Sequence, residues 1–401
     1  MRGLLGSEGV WFAPGRANLM GEHTDYNEGL VLPFALAQGV TATASPRDDG
    51  LLVLSSRQAP GGPVRLSLSS LAPESVTGWA AYPAGVAWSL RAAGYDVRGA
   101  TIHVDSDLPV GAGVSSSAAL ECSVALALCA LSDVPVSRQE LALAAKRAEN
   151  EFVGAPTGII DQFASLLCQE GHATLLDCGT LQTTQVPFQP LSAGVAALIV
   201  DTGVSHALVS GEYAARRAEC EEAARLLGVK YLGSVTDAGA AESIADPLLR
   251  RRARHVITDS ARAAAIAGAL VKAGEKHPVE AGHRGTRAGP GGTGGRDVRR
   301  PDLRETYELV GKLLTEGHAS LRDDFEVSWP AADAAVETAV AAGAYGAKMI
   351  GGGFGGSVLS LVPAEHLGTV RGAVTETFAD RGWTNPEFLD AVPSPPARRL
   401  F

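Results

Sequence analysis

Residues 108–119, LPVGAGVSSSAA, constrain the fold more than any other part of the chain. A proline, two glycines and three serines run without a break into an apolar segment, residues 120–131, that reads as a helix. Gly111 and Gly113 permit backbone conformations closed to other residues and let main-chain amides approach an anion closely. Ser115, Ser116 and Ser117 fall at the helix start, where unpaired N–H groups and the positive end of the helix dipole converge. Their hydroxyls add donors, and one can ligate a Mg2+ carried by a nucleotide. A glycine- and serine-rich helix cap also occurs for structural reasons alone, so the run is a candidate phosphate cradle that other motifs must support. It is not a Walker A loop, because no lysine follows the glycines, and it is not the GxGxxG of dinucleotide-binding folds.

Charge makes any such site a local one. Asp and Glu outnumber Lys and Arg 44 to 34, a formal net charge of -10, so no broad basic surface exists to gather nucleic acid or anionic lipid. The five cysteines (Cys122, Cys129, Cys168, Cys178, Cys220) are scattered without a CxxC pair and read as buried thiols in a reducing compartment. No apolar stretch follows a basic start at the N-terminus, and no apolar run approaches the roughly 18 residues of a membrane span. A cytoplasmic monomer without nucleic-acid or membrane partners is the expectation.

With 401 residues, 46% of them hydrophobic, the chain can fill two cores. The first half alternates β-rich runs at 39–45, 51–55 and 100–104 with apolar-periodic helices, which predicts a layered α+β domain. Residues 195–200 form a continuous apolar run of the kind a buried strand makes, and a helix-rich stretch starts near Glu212. The division expected is therefore residues 1–192 and 193–401. Residues 277–304, crowded with Gly, Arg and Pro, should be an exposed disordered insertion between helices at 251–273 and 305–322. It is either a tolerated insertion or a basic lid over a phosphate.

Three further stretches carry polar groups beyond what folding needs. Residues 13–29, APGRANLMGEHTDYNEG, place Arg16, Glu22, His23 and Asp25 within ten positions, with Asn18, Thr24 and Asn27 beside them. Carboxylates paired with imidazole suit the many hydroxyls of a hexose, each both donor and acceptor. Residues 136–152 open with Ser137 and Glu140 in capping-box spacing and continue as an amphipathic helix that brings Glu149 near its end. A turn through Gly154, Pro156 and Gly158 then leads into IIDQF. There Asp161, among Ile159, Ile160 and Phe163, is partly desolvated and needs a partner such as Arg16; an N-cap or a core salt bridge is the plainer account. Lastly, residues 201–220 read as a strand end and a helix in which Tyr213 precedes Arg216 and Arg217, a pair that is commonly a solvated face.

The phosphate-loop run resembles the central motif of the GHMP kinases, and residues 13–29 resemble the galactokinase signature within that family, with Ala17 and Met20 where Val and Ile are commoner. AENEFVG followed by GIIDQ and the SxxYxxRR-like run also resemble galactokinases. So does KMIGGGFGGS at 348–357, where Ile350 and Ser357 stand for a usual Thr and Cys. The resemblance implies a two-domain GHMP kinase fold of α+β class with its active site in the interdomain cleft. It implies MgATP as phosphoryl donor and galactose as acceptor at the anomeric hydroxyl, with N-acetylgalactosamine, arabinose or a non-catalytic galactose sensor as rivals. By the same mapping Asp161 and Arg16 are catalytic, and Glu22, His23, Thr24, Asp25 and Tyr213 bind the sugar. Gly111, Ala112, Gly113, Val114, Ser115, Ser116 and Ser117 bind ATP, and Ser117 and Glu149 ligate Mg2+. The missing hydroxyl at Ile350 puts turnover rate in question.

Overall fold

A computed structural model describes residues 8–109, 111–204, 210–276 and 301–401. In chain order the first half comprises β1 (Gly9–Asn18), β2 (Leu30–Val31), β3 (Pro33–Arg47), β4 (Leu51–Ser56), β5 (Val64–Ser67), α1 (Ala81–Ala92), β6 (Gly99–Ser106), α2 (Ser116–Leu131), α3 (Arg138–Arg147), α4 (Ile160–Leu167), β7 (His172–Asp177) and β8 (Gln182–Pro187). The second half adds β9 (Val195–Asp201), α5 (Ser210–Leu226), α6 (Pro247–Lys276), α7 (Pro301–Asp323), α8 (Pro330–Ala341), β10 (Gly346–Ile350), β11 (Ser357–Pro363), α9 (Leu367–Asp380), β12 (Glu387–Asp390) and β13 (Arg398–Arg399).

Alternating burial along β3 and β6 makes a sheet with one face on the core. Its strand order is β13-β1-β3-β6-β4-β5, with β4 and β6 parallel and the other pairs antiparallel. Against it packs α2, a helix buried on nearly every side because its small residues (Ala118, Ala119, Ala125, Ala127) let strands and neighbouring helices close in. A second sheet, β10-β11-β9-β12, is antiparallel throughout and carries α7, α8 and α9. The expected division at 192/193 falls just before β9, where that sheet begins; yet β13 returns to pair with Trp11 and Phe12 of the first sheet. The apolar core of the first half also takes in Ile266 of α6 and Val310 of α7, so the halves share packed surface.

Two local features aim the site. The capping box at Ser137 and Glu140 is present as the sequence predicts, but α3 does not run unchanged to Phe152. It widens into a π-helical turn over Ala148–Val153, which carries Glu149 into the interior. The register of β1 on β3 shifts between Pro14 and Arg16, and such a bulge re-aims the side chain that follows it.

Residues 277–300 of the expected insertion lie outside the described residues. Its expected end does not hold: α7 begins at Pro301, so 301–304 belong to a helix with proline at its start, where the missing N–H has no intrahelical partner to lose. All five cysteines are free and buried. Among the described residues no helix is long and apolar enough to cross a membrane.

Candidate active site

The three polar stretches converge on one cavity of about 580 Å³ between the first sheet with its helices and the β10–β11 glycine turn with α5. On one wall Gly111, Gly113 and Ser115 hold positive φ values of 80°, 69° and 62°, and α2 starts at Ser116. This is the expected helix N-terminus behind glycines. The Ser115 hydroxyl is buried without a hydrogen-bond partner among the described residues, an orphan that a phosphate oxygen suits. Ala112 differs from expectation. It faces the core rather than the cavity, and its carbonyl accepts a hydrogen bond from Ser357 Oγ at 2.6 Å.

Opposite the serines, Arg16 reaches Asp161 at the start of α4. Nε and Nη2 both contact Asp161 Oδ1, at 2.9 and 2.8 Å, while Nη1 donates to the Gly113 carbonyl at 2.5 Å. Arg16 thereby links the carboxylate to the phosphate loop, a link reinforced by its own N–H on the Val114 carbonyl at 3.1 Å. No hydrogen bond among the described residues engages Asp161 Oδ2. The expected partnership is present, and it leaves one carboxylate oxygen open.

Asp25 lies next to Asp161. Burial raises its pKa, the Asp161 charge raises it further, and bonds from the N–H groups of Ile160 (3.4 Å) and Tyr26 (2.9 Å) oppose the rise. Gly158 makes this proximity possible, for a Cβ there would sit 1.6 Å from Asp25 Oδ2. Glu22 is buried and ion-paired with Lys348 of β10; desolvation pushes its carboxyl up more than the ammonium draws it down. Tyr213 of α5 lines the same wall, 5.3 Å from the His23 ring centroid.

His23 and Thr24 depart from the roles expected of them. Thr24 is fully buried and does not line the cavity; its hydroxyl lies 2.9 and 2.8 Å from the Gly21 and Leu30 carbonyls, closing the loop from within. His23 lines the cavity, but Nε2 lies 3.2 Å from the Gly352 carbonyl and Nδ1 3.0 Å from the Tyr26 hydroxyl. A carbonyl only accepts, so Nε2 carries the proton and Nδ1 accepts from Tyr26. Both nitrogens are thus engaged within the protein, on the Gly352 carbonyl and the Tyr26 hydroxyl. Burial above all lowers the His23 pKa to about 3. The unfolded chain therefore binds the proton first, and the contribution of His23 to stability falls as pH drops through about 6.5. From this residue alone the expected loss between pH 7 and pH 5 is about 2 kcal/mol. Denaturant unfolding of His23→Asn at both pH values should show a correspondingly smaller drop than the parent.

Glu149 and Ser117 stand together at the phosphate end. The Glu149 carboxyl is raised by burial and then by Asp161, and is held by the hydroxyls of Thr157 (2.8 Å) and Ser117 and the amide of Gln162 (2.8 Å). Gln162 also donates to Glu121 Oε2 at 3.1 Å, and Glu121, fully buried, is pushed well above the carboxylate range by that burial. Sequence reasoning gave Gln162, Glu121, Lys348 and Tyr82 no part in the site and read Gly158 only as a turn residue. The signal for three of them was present as polar residues inside apolar runs: Glu121 in α2, Gln162 in IIDQF, Lys348 in β10.

Comparison with known proteins gives three family matches in chain order: the galactokinase galactose-binding signature over residues 4–46, the GHMP kinases N terminal domain over 81–169 and the GHMP kinases C terminal domain over 300–380. The chain is 46% identical over 397 residues to the galactokinase of Streptomyces coelicolor, covering 98% of this chain and 94% of that protein. It belongs to the galactokinases of the GHMP kinase family. The galactokinase of Mycobacterium tuberculosis is 40% identical over 387 residues, 96% of this chain and 97% of its own. The crystal structure of Lactococcus lactis galactokinase complexed with galactose superposes with a TM-score of 0.86 at 30% identity, over 98% of this chain and 95% of that one.

Within the family frame the two departures in the glycine-rich run have distinct outcomes. Ile350 is fully buried in the apolar core, so its side chain does not face the phosphates. Ser357 is also buried and ties β11 to the phosphate loop through Ala112. Ser357→Ala should raise the KM for ATP about fivefold, the equivalent of one net hydrogen bond, with the KM for galactose unmoved in steady-state kinetics. The arginine pair divides as well. Arg216 donates to the Phe325 and Glu326 carbonyls at 2.8 and 3.0 Å and so anchors the helix that carries Tyr213, while Arg217 pairs with Glu221 on the surface.

Proposed function

We propose that the protein transfers the γ-phosphoryl of ATP to the C1 hydroxyl of α-D-galactose, giving galactose 1-phosphate and ADP. The observation that carries this reading is the Arg16–Asp161 pair, tied to the Gly113 carbonyl of the phosphate loop on one side and bordered by Asp25 and Glu22 on the other. The sugar lies against Glu22, Asp25 and Tyr213, with its C1 hydroxyl toward Asp161 Oδ2, the oxygen that Arg16 leaves open. Asp161 accepts or orients the hydroxyl proton, and the Arg16 guanidinium meets charge developing on the phosphoryl oxygens. Phosphoryl transfer through a loose transition state asks for positioning and charge stabilisation above all, which these groups provide.

The amides and hydroxyls of Gly111, Gly113 and Ser115 to Ser117 receive the ATP phosphates. Among the described residues no cluster of three or more His, Cys, Asp or Glu could hold a metal alone. What fits is a hard cation held mainly by nucleotide phosphates, with the Ser117 hydroxyl and the Glu149 carboxylate as its protein ligands. Mg2+ bound there would supply positive charge to the transferring group.

The test is ADP release by the purified protein with galactose, glucose, N-acetylgalactosamine and arabinose. Galactose should give the highest kcat/KM. A preference for N-acetylgalactosamine or arabinose would reassign the acceptor, and no turnover with any sugar would overturn catalysis.

A further inference from the structure

Lys348 is fully buried in the middle of β10, yet it carries a charge into the site from the far half of the chain. Its ammonium contacts Glu22 Oε2 and donates to the Asn18 carbonyl at 3.3 Å. The partner oxygen, Glu22 Oε1, is buried with no hydrogen-bond partner among the described residues, and Glu22 borders the cavity. We propose that Lys348 is a positioning residue for the sugar: it keeps Glu22 ionised and fixed through Oε2, so that Oε1 is presented to a hydroxyl of the hexose. The proposal rests on the reading of Glu22 as a sugar ligand.

Among the described residues no other cation bonds the Glu22 carboxylate, and Arg16 favours its charge only from a distance. Asp259 of α6 adds like charge and is itself paired with Arg262 at 2.7 Å and with the Gly21 N–H at 3.0 Å. Arg16 is committed to Asp161. His255 of α6, whose Nε2 lies 3.0 Å from the Glu22 backbone carbonyl, has its pKa lowered by burial, as does His23. With Lys348 removed, burial and Asp259 would act on Glu22 almost unopposed, and a protonated carboxyl would present a different hydrogen-bonding face to the sugar.

The experiment is calorimetric titration of galactose, with a nucleotide titration alongside, from pH 6 to 9 on the parent and on Lys348→Met, Lys348→Arg and Glu22→Gln. Lys348→Met should bind galactose about tenfold or more weakly at pH 7, with nucleotide affinity changed less than about twofold. Its affinity should recover with rising pH along a titration whose midpoint lies above that of the parent, because the unpaired carboxyl ionises only at higher pH. Lys348→Arg should keep the parent's midpoint. If Lys348→Met does not fold, the double variant with Glu22→Gln, which leaves no unpaired buried charge, decides. It should bind galactose as Glu22→Gln does. Parent-like affinity in Lys348→Met, a loss without a shifted midpoint, or a further tenfold loss in the Glu22→Gln background overturns the role of Lys348 while leaving Glu22 as ligand. Parent-like galactose binding by Glu22→Gln overturns the Glu22 reading and the proposal with it.

Discussion

Asp161→Asn should lower kcat by about 10²- to 10⁴-fold, the range that a positioned general base contributes, while galactose affinity changes less than about tenfold. The amide keeps an oxygen for Arg16 in place of Oδ1, so the Arg16 link to the phosphate loop can persist. With its oxygen on Arg16 the amide turns its NH2 into the place of Oδ2, so the variant removes the basic atom and the hydrogen-bond acceptor together. Single-turnover measurement, free of product release, is the decisive readout. Residual chemistry above roughly one percent of the parent rate would remove general-base catalysis by Asp161 as an essential contribution.

Gly158→Ala should produce the second largest effect, and it should fall on the sugar rather than on the nucleotide. The added Cβ would lie 1.6 Å from Asp25 Oδ2 and 2.1 Å from its Cγ, far inside contact distance. Something must shift. Asp25 is the more movable partner, because Gly158 is fixed between the Glu149 turn and α4, with the Thr157 carbonyl bonded by Asn150 at 3.1 Å and the Thr157 hydroxyl by Glu149. Overpacking of this kind costs about 1–3 kcal/mol in general. With Asp25 binding the sugar as proposed, its displacement should raise the KM for galactose by about tenfold or more. The KM for ATP should stay within about twofold, since the three atoms nearest the added Cβ all belong to Asp25. Equal losses for both substrates, or a galactose KM like the parent's, would show that Asp25 is not the group displaced.

Much of the site was legible because its motifs are local. A glycine pair before a serine triplet specifies left-handed turns and a helix start within a dozen residues, and the structure has both. The capping box at Ser137 and Glu140 is likewise a contact between neighbours in sequence. Even the need of Asp161 for a cation followed from its apolar surroundings. The roles within the dense stretch at 22–25 were not legible. Four consecutive polar residues offer the same chemistry on paper, but the loop turns Thr24 inward, ties both nitrogens of His23 and gives Glu22 a cation from another sheet.

The sequence by itself determined a helix start behind two glycines, a densely polar loop and the family to which they belong, since each is written in residues adjacent along the chain. Tertiary structure decided which polar atoms remain open to ligands. Arg16 finds Asp161 across 145 positions and Glu22 finds Lys348 across 326. A buried charge takes the partner that folding brings to it, and among the described residues the oxygen left over, on Asp161 and on Glu22, has no hydrogen-bond partner.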